Sequence, residues 1–179
     1  MKKMICLNAL AMMTIAGAAQ AQTGNPLSVG AKRTYDIVKG YLTRAAEKMP
    51  EAEYSFKPTP DVRSFGQLVG HVADASFGFC SAAAGEKPPM GGFDGSLEKS
   101  KTTKADLQKA LADAFAYCDK VYTASTDAGG TAMVKGFWGE LPKLSVLDFN
   151  TAHNFEHYGN IVTYMRLKKI VPPSSEPRK

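Results

Sequence analysis

The feature that most constrains this 179-residue chain is a recurring step of three and four residues between apolar positions. Near Leu27 to Met49, the residues Tyr35, Val38, Leu42, Ala45 and Met49 follow it, and Pro50 ends the stretch. A second stretch begins at the capping-box pair Ser64 and Gln67 and reaches about Ala84. It carries Phe65, Val69, Val72, Phe79 and Ala83 on one stripe. A third starts at a Thr103 cap with Asp106 three positions on, its stripe being Leu107, Leu111, Ala114, Cys118 and Val121. The fourth starts near a Ser145 cap with Asp148 at the third position and runs to about Lys169. Strand-type alternation is nearly absent. The expected fold is therefore all-α, a four-helix bundle with long inter-helix connections.

The connections are legible too. Tyr54 and Phe56, in a Pro-containing loop after the first helix, are expected to cover the bundle end. Gly85 to Thr103 (GEKPPMGGFDGSLEKSKTT) reads as a long loop, and Gly129-Gly130 as a break. Val134 to Leu141 is either extended or a hairpin. The two longer connections argue against plain up-down-up-down hairpins.

The first 21 residues have a separate logic. Lys2 and Lys3 precede a mostly apolar run from Met4 to Ala18, and Ala19-Gln20-Ala21 offers small residues for cleavage. That is the layout of a signal peptide, with an uncleaved anchor as the alternative. The expected organisation is a signal peptide at 1–21 and one bundle domain at 22–179, in a chain exported to the periplasm or exterior. No stable membrane anchor would remain after cleavage. Removing Lys2 and Lys3 lowers the net charge from +5 to +3, too mild and too evenly spread to suggest nucleic acid. Cys6 leaves with the signal, and Cys80 and Cys118 remain. In an oxidising compartment they suggest one disulfide, worth roughly 3–4 kcal/mol for the loop it closes. Two separate buried thiols are the alternative.

The chain has three histidines. His153 and His157, four apart on a helix, face the same way, as two imidazoles must to bind one metal ion. They lie within a seam of Val146, Asn150, His153, His157, Asn160, Tyr164 and Leu167, apolar at its ends and polar in its middle. Polar groups at core positions need partners, and a metal ion supplies them. His71 lies in the corresponding seam of the second helix, Leu68, His71, Ala75, Gly78 and Ala82, whose small residues leave room for an ion, waters or a substrate. Cys80 is turned about 180° from His71 around that helix and is free to pair elsewhere. Three neutral imidazoles with open positions suit Zn(II) or Ni(II). Glu156 is a candidate proton shuttle or a solvated surface residue; Asp74 has the same two readings. Tyr158 and Tyr164 line the pocket or belong to the core. His153 to His157 also matches H-x-x-E-H, a metalloprotease pattern, but the sole acidic residue downstream is Glu176, in a Pro/Ser-rich tail.

The segments SFGQLVGHVADASFGFC (Ser64 to Cys80) and FNTAHNFEHYGNIVTYMRLKKIVPPSS (Phe149 to Ser175) resemble the DinB-like (DinB/YfiT-type) family of metal-binding four-helix bundles. The resemblance covers about Asn25 to Ser175. It implies one metal held by a His on the second helix and two on the last, which correspond to His71, His153 and His157. Relatives include enzymes that transfer the low-molecular-weight thiols bacillithiol and mycothiol, and proteins described as metal-dependent hydrolases; homodimers are common. The expected function is a metal-dependent hydrolase or thiol transferase acting on a small molecule. Export departs from the thiol transferases, which work beside a cytoplasmic thiol pool. The alternative is a non-catalytic metal- or ligand-binding stress protein of the envelope.

Overall fold

The computed structural model describes residues 24–136 and 138–177. The segment read as a signal peptide lies outside them. Four long helices form the bundle: α1 (Pro26–Lys48), α2 (Phe65–Ala84), α4 (Lys104–Thr123) and α6 (Lys143–Leu167). The connections carry two short helices, α3 (Ser96–Ser100) and α5 (Asp127–Gly130), and a hairpin of β1 (Met133–Gly136) with β2 (Gly139–Pro142). No helix among the described residues is long and apolar enough to cross a membrane.

The local signals act as expected. The Ser64 hydroxyl accepts from the Gln67 amide while the Gln67 side chain accepts from the Ser64 amide, and Thr103 caps α4 through the Asp106 amide. The first three apolar stripes are buried along their length. Tyr54 closes the bundle end, its hydroxyl donating to the Ala46 carbonyl and its ring meeting Phe65 edge-on. Cys80 and Cys118 form a disulfide joining α2 to α4 in the core, with Cα atoms 5.4 Å apart.

Three expectations are corrected. Helix α6 begins at Lys143, after Pro142, so Ser145 lies in its first turn and caps nothing; Pro142 itself stands at the cap and ends β2. Gly129-Gly130 is the end of a one-turn helix whose Thr126 hydroxyl accepts from the Gly129 amide. The connection 85–103 is not loop throughout, because α3 forms within it.

Side-chain contacts give the helix directions. Gly66 lies against Leu107 and Cys80 against Cys118, so α2 and α4 are parallel. Gln108 bonds the Ala46 carbonyl and Lys39 pairs with Asp119, so α1 and α4 are antiparallel. Tyr164 bonds the Arg63 carbonyl while Phe79 meets Phe149, so α2 and α6 are antiparallel. The order is up-down-down-up. Two consecutive parallel helices oblige the chain to return along the length of α2, about 30 Å for a helix of this size. That return is the connection 85–103. It lies across α2, and with α4 and α6 it buries sixteen of that helix's twenty residues.

Candidate metal centre

His71 projects from α2 toward α6, and His153 and His157 project back toward it. The His71 Nε2 atom lies 3.2 Å from His153 Nε2, which lies 3.0 Å from His157 Nε2. One ligand atom from each ring falls within 4.8 Å of the other two. Nitrogens bonded at about 2.1 Å to a shared ion stand about 3.0 Å apart at right angles and about 3.4 Å apart at tetrahedral angles. The observed spacings fall in that range. Three nitrogens aimed at one point cannot all be satisfied by the protons of neutral imidazoles, whereas one cation satisfies them together. The three-His group can hold a metal ion.

The electrostatics favour the ligand form. Burial lowers the pKa of all three rings, to about 4 at His153 and about 3 at His157. Repulsion among the rings and the neighbouring Arg63 guanidinium add to the effect at those two positions. The rings are neutral at pH 7, as metal binding requires.

The ring of His71 is oriented from behind by a residue the periodicity did not reveal. Its Nδ1 lies 3.2 Å from Glu98 Oε2, and Glu98 Oε1 accepts from Arg63 Nε at 2.8 Å. A carboxylate on Nδ1–H fixes the tautomer and leaves the Nε2 lone pair for a metal. Glu98 lies on α3, in the connection read as loop. Two residues of α2 hold it there. The Asp74 carboxylate accepts from the Leu97 amide at 3.0 Å and the Glu98 amide at 2.8 Å. Gly70 admits the backbone, since a Cβ there would lie 2.8 Å from Glu98 Cα. Asp74 therefore positions Glu98, and its charge also acts on the His71 ring.

The other expected neighbours are distributed differently. The buried face of α6 is broader than the expected seam: Val146, Asn150, His157 and Tyr164 of that seam are buried together with Leu147, Thr151, Asn154, Tyr158, Ile161 and Met165, while His153 is half-buried and Asn160 and Leu167 are exposed. Asn150 is buried in the core of the bundle. Its amide donates to the Tyr122 hydroxyl at 3.2 Å, which itself donates to the Leu147 carbonyl at 2.6 Å. Tyr158 packs on Tyr41 and bonds Ser174. Of the space expected beside the small residues of α2, the part at Gly78 is filled. A Cβ on Gly78 would meet the Phe93 ring at 2.8 Å.

A cleft of about 770 Å³ opens on the His157 side. His157, Asn160, Glu156, Tyr164, Arg63 and Lys57 contribute to its lining. Asn160 Nδ2 is 3.5 Å from His157 Nδ1, and the Tyr164 hydroxyl donates to the Arg63 carbonyl at 2.8 Å. Glu156 is exposed at the cleft, next in the chain to His157.

The sequence profile of the DinB superfamily matches residues 34–161, which include all three histidines. The chain belongs to the DinB superfamily. Among solved structures, it is similar to a DinB-like protein from Bacillus subtilis, at 18% identity and a TM-score of 0.65, over 84% of this chain and 99% of that one. A conserved protein from Enterococcus faecalis aligns at 16% identity and a TM-score of 0.63, over 78% and 95% of the two chains. A mycothiol-dependent maleylpyruvate isomerase aligns at 16% identity and a TM-score of 0.62, over 75% of this chain. This DinB-superfamily chain spans 60% of the isomerase's length. These likenesses establish the fold. No curated protein matches the chain in sequence.

Proposed function

We propose that this DinB-superfamily protein is a metal-dependent enzyme, a hydrolase or a thiol transferase, acting on a small molecule. The observation that carries the reading is the convergence of three neutral imidazole nitrogens beside an open cleft, with a carboxylate behind one of them. His71, His153 and His157 would hold the ion, and their all-nitrogen donor set suits Zn(II) or Ni(II). When bound, such an ion acts as a Lewis acid that makes a water or a thiol a nucleophile at neutral pH.

The chain's own residues do the rest. Glu98 holds the proton on His71 Nδ1, and Arg63 holds Glu98 in place. Glu156, at the cleft, is positioned to take up a proton released there. The likeness to a mycothiol-dependent isomerase favours thiol chemistry. Export would remove the chain from cytoplasmic thiols and favour hydrolysis. The internal Cys80–Cys118 disulfide supports an exported protein, since oxidising compartments are where such bonds persist.

The test is metal analysis of natively purified protein, followed by turnover on ester, amide, epoxide and thiol-conjugation panels. Metal-dependent turnover lost in His153→Ala is the expected result. A stoichiometrically loaded protein inactive on every panel overturns the catalytic reading and leaves metal binding alone.

A further inference from the structure

On the His153 side of the histidine cluster the surface is chemically unlike the polar cleft. The ring of Phe79, on α2, lies edge-on to His153 with centroids 5.4 Å apart. Phe79 in turn stacks on Trp138 of the hairpin turn at 5.7 Å, meets Phe93 of the 85–103 connection at 4.9 Å and Phe149 of α6 at 5.3 Å. Trp138 and Phe149 are 4.1 Å apart. Four segments of the chain thus contribute one ring each to a continuous aromatic platform that starts at a histidine of the site. Phe79 is buried beneath it, whereas Phe93 and Trp138 are 49% exposed and Phe149 41%. Gly78 makes the arrangement possible, because any side chain there would displace Phe93.

We propose that this platform is a ligand subsite, which takes the flat, uncharged apolar group of a small molecule whose polar end reaches the three-His centre. The inference rests on the metal reading above and specifies its substrate class. Three observations select this occupant. The buried Phe79 ring touches His153 on one side and Phe93, Trp138 and Phe149 on the other, so a molecule lying on the exposed rings is two ring contacts from the three-His centre. None of its side chains carries a formal charge, which suits an apolar ring and not an ionic headgroup. The exposed part of the three outer rings is roughly 300 Å², taking each side chain at about 150–250 Å². That matches the face of a small aromatic molecule and, taken alone, is well below the about 800 Å² per partner of a stable protein interface.

The chain has a single tryptophan, Trp138, and it sits in the platform. This provides the readout. Zinc-loaded protein is titrated with acetohydroxamic acid and with benzohydroxamic acid, two chelators that differ only in a methyl or a phenyl group. Binding is followed by Trp138 fluorescence and, for all variants, by calorimetry. The expected result is that the phenyl compound binds about tenfold tighter and changes Trp138 emission. Phe149→Ala and Trp138→Ala should each shrink that ratio while leaving acetohydroxamate affinity unchanged. Equal affinity for the two compounds, or a ratio that survives both substitutions, overturns the subsite while the metal centre stands. Zinc that fails to bind, or a loaded protein that takes neither compound, overturns the metal reading and the subsite with it. A wild-type dimer that Trp138→Ala dissociates in sedimentation assigns the platform to a second copy instead.

Discussion

Glu98 Oε2 lies 3.2 Å from His71 Nδ1, on the side of the ring opposite the nitrogen that faces the other two histidines. The carboxylate and the imidazole come from different helices, and the contact exists because the connection between two parallel helices runs back over α2. Glu98→Gln keeps the shape and removes the charge. Metal affinity should fall about 10–100-fold, measured at pH 7 by competition with a chromogenic chelator, with helical circular dichroism unchanged. An affinity equal to wild type would remove Glu98 from the site.

Asp74 has a more remote part in the same arrangement. Its two carboxylate oxygens accept from the Leu97 and Glu98 amides, and a side-chain amide in its place would oppose one N–H with another. Asp74→Asn should lower stability by about 1–3 kcal/mol, read from urea denaturation. It should also weaken metal binding less than Glu98→Gln does, since the histidines and Glu98 itself remain.

The buried imidazoles make the metal-free protein sensitive to mild acid. Unfolded histidines take up protons near their ordinary value of about 6.5. In the folded chain His153 and His157 do so only near about 4 and about 3, because burial penalises the charged ring. Between those values the unfolded chain binds more protons, so stability falls as pH drops through the window and is recovered above about 6.5. Thermal unfolding of metal-free protein at pH 7, 6 and 5 should show this fall. A triple His→Gln variant should show a shallower one, and parallel slopes would contradict the burial of the rings.

The Cys80–Cys118 bridge ties α2 to α4, whereas the histidines tie α2 to α6. The two restraints are separable. Cys80→Ala with Cys118→Ala should cost roughly 3–4 kcal/mol from the lost bridge, plus the cavity left behind. Metal affinity under native conditions should stay within about threefold of wild type, as the bridged helices carry only one of the ligands. Denaturation with and without reductant checks the first part and chelator competition the second.

The residues that declare themselves in the sequence are those governed by short-range rules. The stripes of α1, α2 and α4, the Ser64–Gln67 box, the Thr103 cap and the His153/His157 pair all follow from helical periodicity. His71 is visible as a polar residue in an apolar seam. Glu98 is silent because its placement is topological: it sits in a Gly- and Pro-rich stretch without periodicity, and Gly70 and Asp74, beside His71 on α2, bring it to the ring. The start of α6 is misread because Ser145 resembles a cap, although the chain has already turned at Pro142. The buried face of α6 is read only in part: Val146, Asn150, His157 and Tyr164 of the heptad seam are buried, but Leu147, Thr151, Asn154, Ile161 and Met165 widen that face beyond one stripe, because the helix packs against both α1 and α2. The aromatic platform is invisible for the same reason as Glu98, being assembled from four segments that no spacing rule connects.

The connection from Gly85 to Thr103 delivers both Glu98 and Phe93 to opposite flanks of the histidine cluster. Basicity of a ligand and the shape offered to an incoming molecule are therefore written in one surface strap, outside the four long helices. If the proposed function and subsite hold, swapping that strap between members of the superfamily would exchange metal affinity and ligand preference together, with the bundle and its imidazoles left as they are.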